Sequence, residues 1–191
     1  MKAALDLLRH GETTGGSGFR GWLDDPLSET GWRQMREAVG AAPPWQRILS
    51  SPLRRCADFA AVCAEAWGVS LRLDPRLIEL DFGAWEGRTA AELMETDAEA
   101  LGRFWRDPYA FTPPQGEPMV DFERRVTAAI EDACAGKGGV LVVTHAGVMR
   151  LLLARAQGLP RARLLEVEVR HAALIRLAVA RTSEPGRERA L

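Results

Sequence analysis

Runs and spacings of apolar residues divide the chain into strands and helices that alternate. Residues 3–8 form a short apolar run of strand length. The glycine-rich stretch 11–21 then reads as a loop. Ser28 is placed to cap a helix that runs to about Val39. Pro43 and Pro44 break the chain before a short strand at 47–49. Residues 53–67 are alanine-rich and helical, with Gly68 as their stop. Residues 69–73 alternate as a strand does, and 77–87 are irregular. Thr89 is a cap for a helical piece from Ala90 to about Glu95, and a second piece spans 98–106. Pro108, Pro113 and Pro114 force a loop through about 118. Residues 119–135 are amphipathic and end at Gly136. The run GVLVVT at 139–144 is the clearest buried strand in the chain. A helix at 148–157, stopped by Gly158, follows it. Residues 164–169 and 172–179 read as two closing strands, and 182–191 as a polar, disordered tail.

Strands that alternate with helices predict an α/β fold, a three-layer α/β/α sandwich with a mainly parallel central sheet. The 191 residues suffice for one core, whereas two independent domains would both be small. The expectation is a single domain over 1–181 with a cap-like insertion at about 88–118. Ligands of such folds gather at the carboxyl ends of strands, which locates the chemistry.

Composition narrows the classes. Apolar residues make up 47% and charged residues 27%, as in an ordinary globular protein, and the formal net charge of −1 argues against a nucleic-acid partner. Lysine occurs only at Lys2 and Lys137, so arginine abundance is not read as function. Cys56, Cys63 and Cys134 form no C-x-x-C pair and read as buried thiols in a reducing compartment. Neither cysteine nor histidine spacing suggests zinc. The short apolar start runs straight into Arg9-His10-Gly11, unlike a signal peptide. No apolar run approaches the ~20 residues of a membrane span, so no membrane partner is expected and the cytoplasm is the expected location.

The chain has three histidines, and two of them directly follow the best buried strands. His10 follows LDLLR and precedes Gly11; His145 follows VLVVT and precedes Ala146-Gly147. Small residues there permit a sharp turn and the close approach of a ligand. Two imidazoles at the carboxyl edge of one sheet are placed to meet in one pocket. Arg9 adjoins His10, and Arg54-Arg55 opens a helix after Ser50-Ser51-Pro52. The planar guanidinium suits phosphate, and a helix start adds free N–H groups. Neighbours on a helix point about 100° apart, so only one of the two arginines can face a given ligand. Glu79 lies among apolar residues, where partial desolvation suits a general acid; Asp81 and Glu86 compete with it. His171 reads as a structural or strand-edge residue, and Arg150, on a helix five residues after the second histidine, as lying outside the pocket, with its rim as the alternative.

These residues reach a known pattern. Leu8-Arg9-His10-Gly11-Glu12-Thr13 resembles the RHGET signature of the histidine phosphatase superfamily, which includes the cofactor-dependent phosphoglycerate mutases. Asp25-Pro26-Leu27-Ser28-Glu29-Thr30-Gly31 resembles its DxPLTxxG segment, and Ser50-Ser51-Pro52-Leu53-Arg54-Arg55 its SSPLxRA motif. Residues 79–87 resemble ExDFGxWEG. Gly116-Glu117, Asp121-Phe122 and Arg125-Val126 resemble its GES…DF…RV segment, and Thr144-His145-Ala146-Gly147 its THAG motif. Six motifs in order are a far stronger signal than one.

The resemblance implies a phosphoglycerate mutase-like fold and a metal-independent phosphomonoester hydrolase that needs no cofactor. It implies His10 as nucleophile, Arg9 and Arg55 as phosphoryl clamps, His145 as a second histidine on the phosphate and Glu79 as proton donor. Arg54 is left at the surface. Gly16 stands where many members have asparagine, so Gly16, Arg20 and Ala146 complete the expected substrate contacts, and Phe59 stands where many have threonine. Within the superfamily, FRGWLDDPLSETGW, SSPLRRC, LDFGAWEG and FWRDP…PPQGEP look most like the α-ribazole-5′-phosphate phosphatases of cobalamin assembly. The partner implied is a small-molecule phosphate ester, and a homodimer is an assembly open to the chain. The alternatives are a broad-specificity phosphatase, a mutase or a non-catalytic phosphate-binding module. Phe104, Trp105, Tyr109 and Phe111 are placed either to stack on a base or to pack the insertion onto the body.

Overall fold

The computed structural model describes residues 5–41, 44–136 and 138–177. The chain runs β1 (Leu5–Arg9), α1 (Glu29–Val39), β2 (Arg47–Ser50), α2 (Arg54–Trp67), β3 (Ser70–Leu73), α3 (Ala90–Thr96), α4 (Ala98–Arg106), α5 (Met119–Ala135), β4 (Val140–Thr144), α6 (Ala146–Ala156) and β5 (Leu174–Leu177). The strands form one sheet in the order β3-β2-β4-β1-β5. All neighbours pair parallel except β5, which runs antiparallel to β1.

Alternation along each strand gives the sheet two apolar faces. Leu5, Leu7, Leu49, Val140 and Val142 pack with Met119, Phe122 and Val126 of α5 and with Met149 and Leu152 of α6. Leu8, Ile48, Leu141 and Val143 pack on the other side with Met35 of α1 and Phe59 and Cys63 of α2. Burying each such Leu, Ile, Val, Phe or Met side chain stabilises the fold by roughly 1.5–3 kcal/mol, so both faces must be covered. This is the three-layer α/β/α arrangement expected from the sequence. Asp6 is the polar exception on β1. It is buried, but it accepts hydrogen bonds from Trp45 Nε1 (2.7 Å) and from Arg176 Nε and Nη2 (2.8 and 3.0 Å).

Local chemistry sets the helix ends. Ser28 accepts from Gly31 N and starts α1, Thr89 and Glu92 form a reciprocal capping box on α3, and Gly68 ends α2 in the left-handed region at φ 64°. The helix expected at 148–157 begins two residues earlier, because His145 in extended conformation is its cap.

The closing segment departs from the expectation. Residues 161–166 form a 3-10 turn rather than a strand. Pro160 initiates it, and Leu164 and Val169 of the LLEVEV run bury themselves in the apolar cluster that α6 shares rather than pairing with the sheet. Residues 172–173 belong to a turn, so β5 begins only at Leu174. The part of that expected strand beyond 177 and the expected tail at 182–191 lie outside the described residues.

The pairing aligns the strand ends. Arg9 stands beside Thr144, and Ser50 beside Val143. His10 N then donates to Thr144 O (2.9 Å) and Ser51 N to Val143 O (3.0 Å). His10, Ser51 and His145 therefore leave the sheet together.

Candidate active site

The rings of His10 and His145 lie edge to face, with centroids 5.3 Å apart. His10 is 8% exposed and His145 fully buried. Gly11 is required beside His10: a Cβ there would fall 2.4 Å from the carbonyl oxygen of Gly31 at the start of α1.

Hydrogen bonds fix both tautomers. His10 Nδ1 lies 2.7 Å from Gly11 O, an obligate acceptor, so Nδ1 carries the proton and Nε2 presents its lone pair. Arg55 Nε donates to His145 Nδ1 (3.2 Å), so Nε2 of His145 carries the proton and donates to Ser51 Oγ (2.8 Å). Burial first, and then the charge of Arg55, hold both imidazoles well below their usual range, so both are neutral at neutral pH.

Arg55 is fully buried. Besides His145 it donates to the carbonyls of Gly21 (2.7 Å) and Leu23, and more distantly to that of Arg20. The N–H groups of Gly21, Trp22 and Leu23 in turn donate to the Glu86 carboxylate at 3.0–3.2 Å. The loop beside the two histidines is thus held through its carbonyls by Arg55 and through its amides by Glu86. Glu86 is an organiser of this loop rather than a solvated carboxylate. Arg54 lies at the surface as expected, near Asp58. Cys56 packs its sulfur 3.7 Å from His145 Nε2, and burial pushes its thiol up to about 12.

Arg9 donates from Nη1 to Val169 O (2.7 Å), while its Nε is buried without a partner among the described residues. Burial brings its guanidinium down to about 10, with Glu79 opposing and Arg150 and Arg55 adding to the shift. It remains a cation at neutral pH, with its Nε–H unspent.

Glu79 is buried, 6% exposed. Its Oε1 accepts from Leu80 N (3.0 Å) and its Oε2 from Gly147 N (2.8 Å), in the first turn of α6. A Cβ on Gly147 would stand 2.2 Å from Oε1, so glycine admits the carboxylate. The backbone behind Glu79 hangs on Arg125, which donates to the carbonyls of Arg76, Ile78 and Glu79 at 2.6–2.9 Å. Glu117 holds Arg125 through two bonds of 2.7 Å. The sequence pattern contained this pair without revealing its task.

A cavity of about 290 Å³ opens beside Glu79 and Gly147, lined by Phe19, Phe82, Phe104, Trp105 and, against expectation, Arg150. The aromatic residues of the segment 104–111 divide. Phe104 and Trp105 line the cavity, and Trp105 is 47% exposed. Phe111 stacks on Trp85 and Tyr109 donates to Glu123 (2.9 Å), so both pack this segment onto its neighbours.

Of the remaining candidates, Arg20 is committed to Asp25 and to the carbonyls of Gly15 and Gly16. Gly16 is exposed with a left-handed φ of 77°, and Ala146 is the first residue of α6, with its helix-start N–H beside His145. His171, read from the sequence as structural, instead stands beside His10, with ring centroids 5.8 Å apart. No group of three or more metal-ligating side chains occurs among the described residues, and no helix is long and apolar enough to cross a membrane.

Residues 5–185 match the histidine phosphatase superfamily (branch 1). A bifunctional protein of Mycobacterium tuberculosis is 40% identical over 156 residues, which are 78% of this chain and 43% of that protein. The chain therefore spans less than half the length of that relative. The adenosylcobalamin/alpha-ribazole phosphatase of Salmonella typhimurium is 34% identical over 171 residues, 86% of this chain and 85% of that one. A solved mycobacterial glucosyl-3-phosphoglycerate phosphatase superimposes with a TM-score of 0.80 at 30% identity, covering 92% of this chain and 90% of the other.

Proposed function

Because the chain belongs to the histidine phosphatase superfamily, we propose that it hydrolyses phosphate monoesters without a metal, through a phosphohistidine on His10. The observation that carries this reading is the tautomer of His10. Its Nδ1 proton is held by Gly11 O, which leaves Nε2 unprotonated on a buried, neutral ring beside Arg9.

The chemistry follows in two displacements. His10 Nε2 forms a bond to phosphorus while the ester P–O bond breaks, and Glu79 gives a proton to the leaving oxygen. The hydrogen bond from Nδ1 to Gly11 O then stabilises the positive phosphoimidazole. Water attacks phosphorus next; its proton goes to the Glu79 carboxylate, and the N–P electron pair returns to His10. Arg9, with its unspent Nε, and the buried Arg55 supply positive charge toward the equatorial oxygens, neutral His145 can turn the Nε2–H that it gives Ser51 to one of them, and the N-terminus of α6 adds to that field. These cationic groups occupy the role that a metal fills in other phosphatases, and activity in excess EDTA is the expected result.

The proposed substrate is α-ribazole 5′-phosphate. Two observations support it: the similarity to the Salmonella phosphatase over most of both chains, and the aromatic cavity beside Glu79, where the leaving group departs. That cavity presents flat apolar surface suited to a benzimidazole. A second reading, a broad-specificity small-molecule phosphatase, draws on the same cavity, because among the described residues Arg150 and Glu79 are the only charged side chains that line it.

The test is kcat/KM in EDTA for α-ribazole 5′-phosphate beside 3-phosphoglycerate, glucosyl-3-phosphoglycerate, sugar phosphates and phosphoamino acids, with His10→Ala as control. A marked preference for α-ribazole 5′-phosphate that vanishes in the variant is expected. Similar modest rates across the panel replace the specific substrate by the broad reading, and activity that survives in His10→Ala overturns the mechanism.

A further inference from the structure

The geometry points to His171 as a third imidazole of the phosphoryl site, a catalytic residue that donates a hydrogen bond to an equatorial oxygen of the group carried on His10. This rests on the phosphohistidine reading above and adds a residue to it.

His171 is brought to His10 by a turn built at some conformational cost. Ala173 N donates to Arg170 O (3.1 Å), which closes a four-residue turn with His171 and Ala172 at its centre. Ala172 adopts φ 55°, the left-handed region where glycine or asparagine is the ordinary choice. The strained position is held from both sides: Ala172 N donates to His10 O (3.2 Å) and Arg9 N donates to Ala173 O (3.0 Å). The turn is stitched to the end of β1 on either side of the nucleophile, so the Cα of His171 is fixed relative to His10. A strained residue that persists at a site of chemistry is a pointer to function.

The three imidazoles differ in what is left for a ligand. His145 has both nitrogens engaged, one with Arg55 and one with Ser51. His10 has Nδ1 on Gly11 and keeps Nε2 for phosphorus. The ring of His171 is hydrogen-bonded to no group among the described residues, is exposed, and is tilted 44° to His10 at 5.8 Å. A tetrahedral phosphoryl group on His10 projects beyond that ring toward its neighbours, and His171 has a free N–H to offer. The charged groups facing it are Arg9 from β1 and Glu12 from the following loop. Partial desolvation at the pocket mouth and then Arg9 hold the free imidazole below its usual range; an arriving phosphate dianion acts in the opposite sense and strengthens the donor.

The experiment compares His171→Ala and His171→Asn with the wild-type protein in kcat/KM and in the Ki of orthovanadate, with thermal unfolding alongside. His171→Ala is expected to lose about 10- to 100-fold in kcat/KM and to bind vanadate more weakly by a similar factor. Its unfolding midpoint should stay unchanged, since the ring is exposed, and His171→Asn, which keeps an N–H donor, should recover part of the loss. Wild-type kinetics and vanadate affinity in His171→Ala overturn this role and leave the phosphohistidine reading intact. A wild-type protein that neither turns over a phosphomonoester nor binds vanadate overturns both.

Discussion

Arg55 Nε donates to Nδ1 of His145 across 3.2 Å. That bond makes the guanidinium, the imidazole tautomer and the loop at 20–23 one unit, because the remaining Arg55 donors reach the carbonyls of that loop. Lysine keeps the charge but lacks the planar fork that serves all of these acceptors. Arg55→Lys should lower kcat/KM by about 100-fold or more and destabilise the fold by roughly 2–4 kcal/mol through unmet buried carbonyls. Steady-state kinetics and urea unfolding check the two effects; a variant with both near wild type would break the link.

Gly147 separates activity from stability. A Cβ there would meet Glu79 Oε1 at 2.2 Å, and that oxygen is the far end of a side chain that can swing away. Gly147→Ala should therefore displace the proposed proton donor and lower kcat by about 10- to 100-fold, while thermal unfolding shifts only slightly. A large loss of stability with kcat retained would contradict the placement of Glu79.

Glu117 acts on Glu79 at one remove, through Arg125 and the carbonyls of Arg76, Ile78 and Glu79. Glu117→Ala frees the guanidinium and should lower kcat several-fold while the Ki of inorganic phosphate stays near wild type. Equal losses in both would mean that the pair supports the whole site rather than the proton donor.

His10 and His145 are both held well below 6.5 in the folded protein. In the unfolded chain they bind protons near 6.5, so the unfolded state takes up more protons than the native one just below that pH. Stability should be fully present above about pH 6.5 and fall as the pH drops toward the folded-state values. The acid limb of kcat/KM that belongs to His10 should likewise lie well below 6.5, once the second ionisation of the substrate phosphate is allowed for. NMR titration of the two imidazoles checks this; a normal titration near 6.5 would contradict their burial.

Periodicity made most of the fold legible. The runs at 5–9 and 140–144 are apolar on both faces because helices cover both, and a buried strand that ends in a histidine followed by glycine or alanine is a visible signal. Ser28, Thr89 and Gly68 announced their helix ends by side-chain chemistry alone. The closing segment differs because LLEVEV alternates as a strand does, while its apolar positions Leu164 and Val169 are taken by packing against α6, a contact that alternation alone does not reveal. His171 was hidden for a related reason. Its neighbour is far away in sequence, and the turn that joins them has alanine where local preference asks for glycine. The tasks of Glu86 and Arg125 rest on backbone groups of distant loops, which no spacing of side chains reveals.

The central claim is that phosphorus passes through His10. Rapid quenching of the protein with a 32P-labelled phosphomonoester under alkaline conditions, in EDTA, followed by peptide mapping, tests it most directly. The account predicts a base-stable, acid-labile label on the peptide that carries His10, formed within the first turnover and absent from His10→Ala. Turnover in the wild-type protein with no such label, or with the label on another residue, would contradict it.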